Sequence, residues 1–383
     1  MKKLSIAALV CAVLAWPVAG EAQEPDLMTA KYRVFAAAQM GDDKCHVLSF
    51  SDRKMIDDIL LVTLTQLPGV LAVDPTDYEA YFAAVGAAAE PIRSELEPAI
   101  VQLPCDRAPM LIGSAQMQGY ADILAYLRLG EEAFQAQASA PQMQMAQIFV
   151  GFLNQSLGQN AAQFEQLVQA RQAEFSEDHT PEQAAGMART YMNQMNISRA
   201  IQAKGIDLRW NAEEDGWGLW ALQENRFERG LVFGAPAFSQ TFTVLEGETE
   251  WGNQIIAHSV IVLAGREYNS TLKIMVLAAD PESPAIPDKA RIGYGQGWAD
   301  FRSFEGRRSS DCPMDACFSF SGTDLDGIRL AGAPGSASQP ELTLYQDHTY
   351  LQNRGAETMR DRAGLSARDS YPIYPDRIFK DED

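Results

Sequence analysis

The chain has few of the residues on which common enzyme chemistries depend. Only four of its 383 residues are histidines, and they lie too far apart in sequence to form a zinc-binding pair. The four are His46, His179, His258 and His348. No Gly-x-Ser-x-Gly turn occurs, and no complete metal-binding or cofactor-binding motif is present. We therefore expect a protein without metal or cofactor, and a non-catalytic role rather than an enzymatic one.

Basic residues are scarce as well. Lysine and arginine number 31 against 51 aspartates and glutamates, which gives a formal net charge of -20. Such a surface repels phosphate backbones and anionic lipid headgroups, and no local cluster of basic residues offsets it. The charge therefore excludes a nucleic-acid-binding protein. Its simplest interpretation is a solvated surface, and the capture of cations or basic partners is the alternative.

The mature chain lacks an apolar run that could span a membrane. The N-terminus has Lys2-Lys3, then a short apolar segment at residues 4–16 and small residues near position 20, which is the pattern of a secretory signal peptide. We expect residues 1–22 to be removed. A retained anchor is the alternative, but a spanning helix needs about 20 apolar residues. The short basic start favours a Gram-negative periplasm, or secretion, with no membrane span after cleavage.

Cysteine occurs five times. Cys11 lies inside the apolar N-terminal segment, without a lipidation sequence. The other four are an even number in an exported chain, which indicates disulfides, and three connectivities are possible. We expect the pairs Cys45–Cys105 and Cys312–Cys317, because each pair stays within one predicted domain.

The sequence does contain a clear change of period at about residue 205. Residues 23–205 have apolar positions at helical spacing and few β-branched residues, which predicts an all-α domain of antiparallel helices. In the last of these helices, Thr180 fits the N-cap, Gln183 the second half of a capping box and Gly205 the end. A helical-repeat solenoid is the alternative, but no period recurs.

Three earlier helices are expected in this domain. The first covers residues 27–40 and stops at Gly41, and the second is capped by Ser51. The third begins at residues 74–77, and Pro91 and Pro98 are expected to kink or split it.

Residues 206–352 instead contain short runs rich in aromatic and β-branched residues, separated by turn sequences. This pattern predicts an antiparallel β sandwich or open barrel of about 8–10 strands, and the fold class is therefore α+β. The later strands are expected near residues 291, 300, 318, 328 and 342. Residues 353–383 have little periodicity and are predicted to be a flexible tail. Docking of the piece at 371–375 in a groove is the alternative.

One stretch of the β domain is a candidate binding site. Gly293, Gly295 and Gly297 alternate, so in a strand they would clear one face of side chains, and Trp298 follows them. Such a bare strip permits sheet curvature, or it allows a ligand to lie flat against the backbone with Trp298 beside it. Curvature, with Trp298 buried in the core, is the interpretation that we favour.

Acidic residues near Trp298 provide the enzymatic alternative. A carboxylate pair drawn from this group would suit the hydrolysis of a sugar-like substrate. The group consists of Asp300, Glu305, Asp324 and Asp326. Because the catalytic patterns otherwise fail, we expect first a non-catalytic, exported, two-domain protein that binds a periplasmic protein or an envelope component. A periplasmic hydrolase of unrecognised type is the second hypothesis.

Overall fold

The computed structural model describes residues 24–234, 237–249, 252–278, 286–295, 302–333, 339–345, 371–372 and 375–379. Helices come first and antiparallel sheets follow, which confirms the α+β fold with a helical part and then a β part. The predicted signal peptide lies outside the described residues. No helix in the described ranges is both long and apolar enough to cross a bilayer.

Nine α-helices precede the first strand in the described residues. They are α1 (Glu24–Cys45), α2 (Phe50–Thr65), α3 (Pro68–Leu71), α4 (Tyr78–Val101), α5 (Ala108–Leu129), α6 (Glu131–Gln137), α7 (Ala140–Ser156), α8 (Ala161–Asp178) and α9 (Pro181–Gln202). The predicted capping box of α9 is present. The Thr180 N–H donates to Gln183 Oε1 at 2.8 Å, and the Gln183 N–H donates to Thr180 Oγ1 at 3.3 Å.

Two expected helix limits were wrong. Helix α1 continues through Gly41, because a glycine inside a helix costs only about 1 kcal/mol and packing outweighs that loss. Helix α2 is capped by Ser49, which accepts from the Asp52 N–H, whereas the Ser51 N–H donates to Ser198 Oγ at 3.0 Å.

Helix α4 is continuous through both of its prolines, so neither splits it in two; the kink expected as the other outcome stays a prediction. Its second half buries a stripe of three residues at i, i+4 and i+8, which are Ile92, Leu96 and Ile100. Burial of that stripe offsets the lost hydrogen bonds of Pro91 and Pro98, since tertiary packing provides most of the stability of a helix in a protein.

The β part has two antiparallel sheets. Its described strands are β1 (Ile206–Asn211), β2 (Gly216–Ala221), β3 (Arg226–Phe233), β4 (Ala237–Thr249), β5 (Gly252–Glu267), β6 (Thr271–Ala278), β7 (Lys289–Tyr294), β8 (Arg302–Glu305), β9 (Arg307–Arg308), β10 (Ala316–Ser321), β11 (Glu341–Tyr345) and β12 (Tyr371–Pro372). The larger sheet has the order β1-β2-β3-β5-β6-β10-β9 with β4 on β5, and the smaller has the order β12-β11-β7-β8. Buried residues of both sheets form one core, the packing of a sandwich.

The strand expected near residue 328 was wrong, and the predicted flexible tail is contradicted at residues 371–372 and 375–379. Ile328 lies in a helix, α10 (Thr323–Ala331), because Leu325, Ile328 and Ala331 share one buried helical stripe. Part of the predicted flexible tail is ordered. Strand β12 pairs with β11, and the helix α11 (Pro375–Ile378) is followed by Phe379, which is buried. Burial of apolar side chains such as Phe379 holds this segment in place, which is the kind of contact that the docking alternative described.

Both predicted disulfides are present. Cys45 pairs with Cys105 at a Cα–Cα distance of 5.3 Å, and Cys312 pairs with Cys317 at 5.5 Å. Next to the first of them, Lys44 Nζ donates to the carbonyl oxygens of Ile100, Val101 and Leu103 at the end of α4. A cation there complements the negative end of the helix dipole, so two independent contacts join the ends of α1 and α4.

The chain divides into two compact units. One extends to Ser198 and includes Arg209–Ala212, and the other contains Arg199–Leu208 and the chain from Glu213 onward. The predicted domain limits at 205 and 352 stay a prediction. The helical unit carries the candidate site.

Candidate functional site

The helical unit contains an open groove between α5, α6, α7 and α8. Its volume is about 980 Å³, within the range of ligand pockets. The lining is mainly apolar and includes Leu127, Phe134, Met143, Val150, Leu157 and Phe164. Arg128 and Glu165 lie in the lining as a bidentate pair, with the Arg128 nitrogens donating to Glu165 at 2.6 and 2.9 Å. The one other charged residue of the described lining, Glu131, accepts from Gln135 Nε2 at 3.2 Å, and the remaining lining is apolar or amide, so the groove suits a mainly apolar occupant.

Helix α7 contributes an uncharged wall to the groove. Its 17 residues contain no charged side chain, which is unusual in a chain with 21% charged residues. One stripe of α7 is buried, formed by Met145, Phe149 and Leu153. Two residues on one flank of this stripe stay partly exposed. Met143 is 40% exposed and Val150 is 37% exposed, and both line the groove.

A helix that is apolar on most of its circumference is normally covered by protein. On the other flank of α7, Ile148 and Phe152 are 37% and 48% exposed and do not line the groove. Within the described part of the chain, α7 therefore has more apolar surface than its neighbours cover. The apolar residues of α7 that line the groove form, with those of α5, α6 and α8, the exposed apolar patch that marks an interaction surface.

A carboxylate lies in the packing beneath α7. Tyr120 Oη donates to Asp52 Oδ1 at 2.8 Å, and Ser49 Oγ and Gln116 Nε2 donate to Asp52 Oδ2 at 2.9 and 3.2 Å. The Tyr120 ring packs edge-on against Phe149 of α7, with ring centroids 5.6 Å apart. Burial raises the pKa of Asp52 above its ordinary value of 3.8, although these hydrogen bonds lower it in part.

This raised pKa sets the sign of a pH effect. Folded Asp52 binds a proton more tightly than the unfolded residue, so its contribution to stability is full below the ordinary pKa of 3.8 and is lost as pH rises through the folded pKa. We expect the wild type to lose stability relative to Asp52→Asn as pH rises from about 4 towards neutrality. Urea unfolding of both proteins across that range measures this difference. The pKa values of Asp42 and Asp122 are also raised, but those residues are in both proteins and their effects cancel. A difference that stays flat or rises with pH would contradict the assignment.

The structure places only part of the predicted glycine strip. Gly293 is buried in β7, where it pairs with Glu341 and Ser303, but β7 ends at Tyr294. Gly295 follows the strand at a φ of 140°, a backbone conformation that favours glycine. Gly297 and Trp298 lie outside the described residues. A single strand through all three glycines was therefore the wrong expectation, and a ligand-binding role for this stretch stays a prediction.

The described acidic residues of the hydrolase hypothesis lie in two separate elements, β8 and α10. Glu305 in β8 pairs with Lys289 at 3.1 Å. Asp324 and Asp326 lie in the first turn of α10, where the helix dipole favours carboxylates. Asp300 lies outside the described residues, as does Trp298. The hydrolase alternative therefore stays a prediction without an observation in its favour.

The nucleophile spacing Ser-x-x-Lys was missed in the sequence, where it occurs twice. Ser51 and Lys54 match Ser-x-x-Lys, a pattern of acylating serine enzymes. In the structure, Lys54 Nζ donates to Asp58 at 3.4 Å, and Ser51 Oγ lies 3.2 Å from Ser49 Oγ. No hydrogen bond joins Ser51 to Lys54 among the contacts of the described residues, so this arrangement does not activate the serine. In the second match, Ser270 and Lys273, the lysine pairs with Glu267 at 3.2 Å.

No protein-family model matches the sequence, and the comparisons with curated proteins and with solved structures find no match. Nor do the described residues contain a group of three or more His, Cys, Asp or Glu side chains that could hold a metal ion. Function therefore has to be argued from the geometry alone. The groove was not predicted from the sequence, but the uncharged run at 133–157 was a usable signal for it.

Proposed function

We propose that this protein is a non-catalytic binding protein of the Gram-negative periplasm, and that its helical unit receives an apolar helix of a protein partner in the groove over α7. The observation that carries the proposal is the uncharged, partly exposed α7, with Met143 and Val150 in the lining of the groove. The signal-like N-terminus and the disulfides support the location outside the cytoplasm.

A protein helix fits this surface better than other occupants. Interface centres are depleted of charge and rich in apolar side chains, and helix-in-groove binding uses a stripe of apolar anchors. The groove is bordered by amides, including Gln135, Gln147 and Asn154, which provide a polar rim that can hydrogen-bond to a partner. A free fatty acid would require a cation for its carboxylate, and Arg128 is already paired with Glu165.

Site-specific photo-crosslinking tests the proposal. We expect a photoreactive amino acid at Met143 to form an adduct with another periplasmic protein in intact cells. The matched control is the same residue at Ile148, which has almost the same exposure on the same helix but does not line the groove. Adducts that map to a helix of one partner, from Met143 alone, would support the proposal. Adducts with a second copy of this chain or with lipid, equal adducts from both positions, or none, would overturn it.

A further inference from the structure

A second pocket in the helical unit has the opposite chemistry. Its volume is about 600 Å³, and it lies where the N-terminal turns of α7 and α9 come together with the end of α8. Gln142 of α7, His179 after α8, and Gln183, Arg189 and other residues of α9 line it. It shares no lining residue with the groove.

Arg189 is the one lining residue of this pocket with a permanent charge. It forms no ion pair with any residue in the described part of the chain. Arg53, Arg128 and Arg171 of the same unit each pair with an acid. In a chain in which 51 acids face 31 basic residues, an unpaired guanidinium inside a pocket leaves its five donors open for an anion.

Each side-chain carbonyl of the pocket amides already accepts a hydrogen bond. Gln142 Oε1 accepts from the Ser139 N–H at 2.8 Å, and Gln183 Oε1 accepts from the Thr180 N–H at 2.8 Å, each within a capping box. Asn193 Oδ1 accepts from Gln142 Nε2 at 2.9 Å. Each of the three carbonyl oxygens thus accepts one hydrogen bond, and the side-chain N–H groups of Gln183 and Asn193, with the second N–H of Gln142, remain to donate to a ligand.

His179 forms part of the wall of this pocket. Its ring packs edge-on against Tyr126 and Phe175, with centroids 5.4 and 5.8 Å away, and these contacts fix its orientation. Its Nδ1 atom is buried and has no hydrogen-bond partner among the described residues. Because this atom is buried, a ligand in the pocket does not reach it, and the imidazole contributes to the pocket as part of its wall.

We propose that this pocket binds the carboxylate or phosphate group of a small polar molecule, with Arg189 as the charged anchor and the amide N–H groups of Gln142, Gln183 and Asn193 as orienting donors. The nearest acids in sequence, Asp178 and Glu182, are not part of the lining. This site is separate from the proposed partner groove, so either can fail without the other.

Three sugars that share a glucose-type ring test the proposal. They differ only in carrying a carboxylate, a phosphate or no charged group. Calorimetric titration of the full mature protein with glucuronate, glucose 6-phosphate and glucose separates carboxylate, phosphate and neutral ligands. We expect one or both anions to bind and glucose not to bind. Arg189→Gln should weaken anion binding at least tenfold, because a charge-assisted hydrogen bond is lost, whereas Arg189→Lys should retain part of it.

Arg199→Gln is the matched control, since it removes the same charge from an exposed position on the same helix and outside the pocket lining. The affinity of this variant should equal that of the wild type. No binding of either anion at about 10 mM would overturn the proposal, as would equal binding of glucose. An anion affinity that is the same in Arg189→Gln and the wild type would also overturn it, because binding would then occur elsewhere.

Discussion

Replacing Arg53 with methionine should lower the free energy of unfolding by about 3–5 kcal/mol at neutral pH. The Arg53 side chain is 4% exposed and pairs with Asp42 at 3.0 Å, Asp43 at 2.7 Å and Asp57 at 2.9 Å. Its guanidinium also lies over the Trp210 ring, 5.2 Å from the centroid. Without Arg53, the buried carboxylate of Asp42 has no cation near it, and that unpaired charge is the main cost.

The neighbouring residue provides the control for this prediction. Lys54 pairs with Asp58 at 3.4 Å, with both side chains partly exposed, so Lys54→Met should change the free energy of unfolding by about 1 kcal/mol or less. Burial raises the pKa of Asp42, so the loss in Arg53→Met should shrink as acid protonates that residue. Urea unfolding of both variants measures the difference. Equal losses in the two variants would contradict the buried-charge explanation.

Removal of the Cys45–Cys105 disulfide should have the second large effect. The bond closes a loop with a sequence separation of 60, which corresponds to about 4 kcal/mol in the chain-entropy account. The Cys312–Cys317 bond, with a separation of 5, corresponds to about 2 kcal/mol. The helical unit should therefore lose more stability than the β unit when both bonds are absent.

Paired alanine variants of each disulfide separate the two contributions. We expect the melting temperature of the Cys45→Ala/Cys105→Ala protein to fall further than that of Cys312→Ala/Cys317→Ala. The contacts of Lys44 with the end of α4 survive in the first variant and limit the loss. A larger drop for the short loop would contradict the ranking. It would mean that the short bridge stabilises the folded β unit directly.

Some local signals were read correctly from the sequence, although the helix limits at Gly41 and Ser51 were not. Thr180 and Gln183 form their capping box because the hydrogen bonds involve residues only three apart. The cysteine pairing followed from keeping each bridge inside one region of uniform period. Such features depend on neighbours in the chain, and the sequence contains those neighbours.

Features that depend on distant packing were missed. Pro91 and Pro98 look like breaks, but burial of Ile92, Leu96 and Ile100 keeps α4 continuous. Ile328 is β-branched and was assigned to a strand, yet its spacing with Leu325 and Ala331 is helical. The groove was missed because apolar periodicity does not tell which stripes of α7 the other helices cover. Gly151 shows this most clearly, since an added Cβ would meet no heavy atom within 4 Å.

That open position allows the most direct test of the proposed function. Gly151 lines the groove, so Gly151→Leu should fill it with the chain's own side chain without a clash of the new Cβ, and leucine is the better helix former by about 1 kcal/mol. Gly113→Leu is the matched control. It is also a helical position with nothing within 4 Å of an added Cβ, and it does not line the groove.

The deciding measurement is the yield of the partner adduct from a photoreactive residue at Met143, compared between the wild type, Gly151→Leu and Gly113→Leu. We expect Gly151→Leu to lose the adduct, with a melting temperature equal to or above that of the wild type, and Gly113→Leu to retain it. An undiminished yield in stably folded Gly151→Leu would show that the partner does not occupy the groove, and would contradict the proposed function.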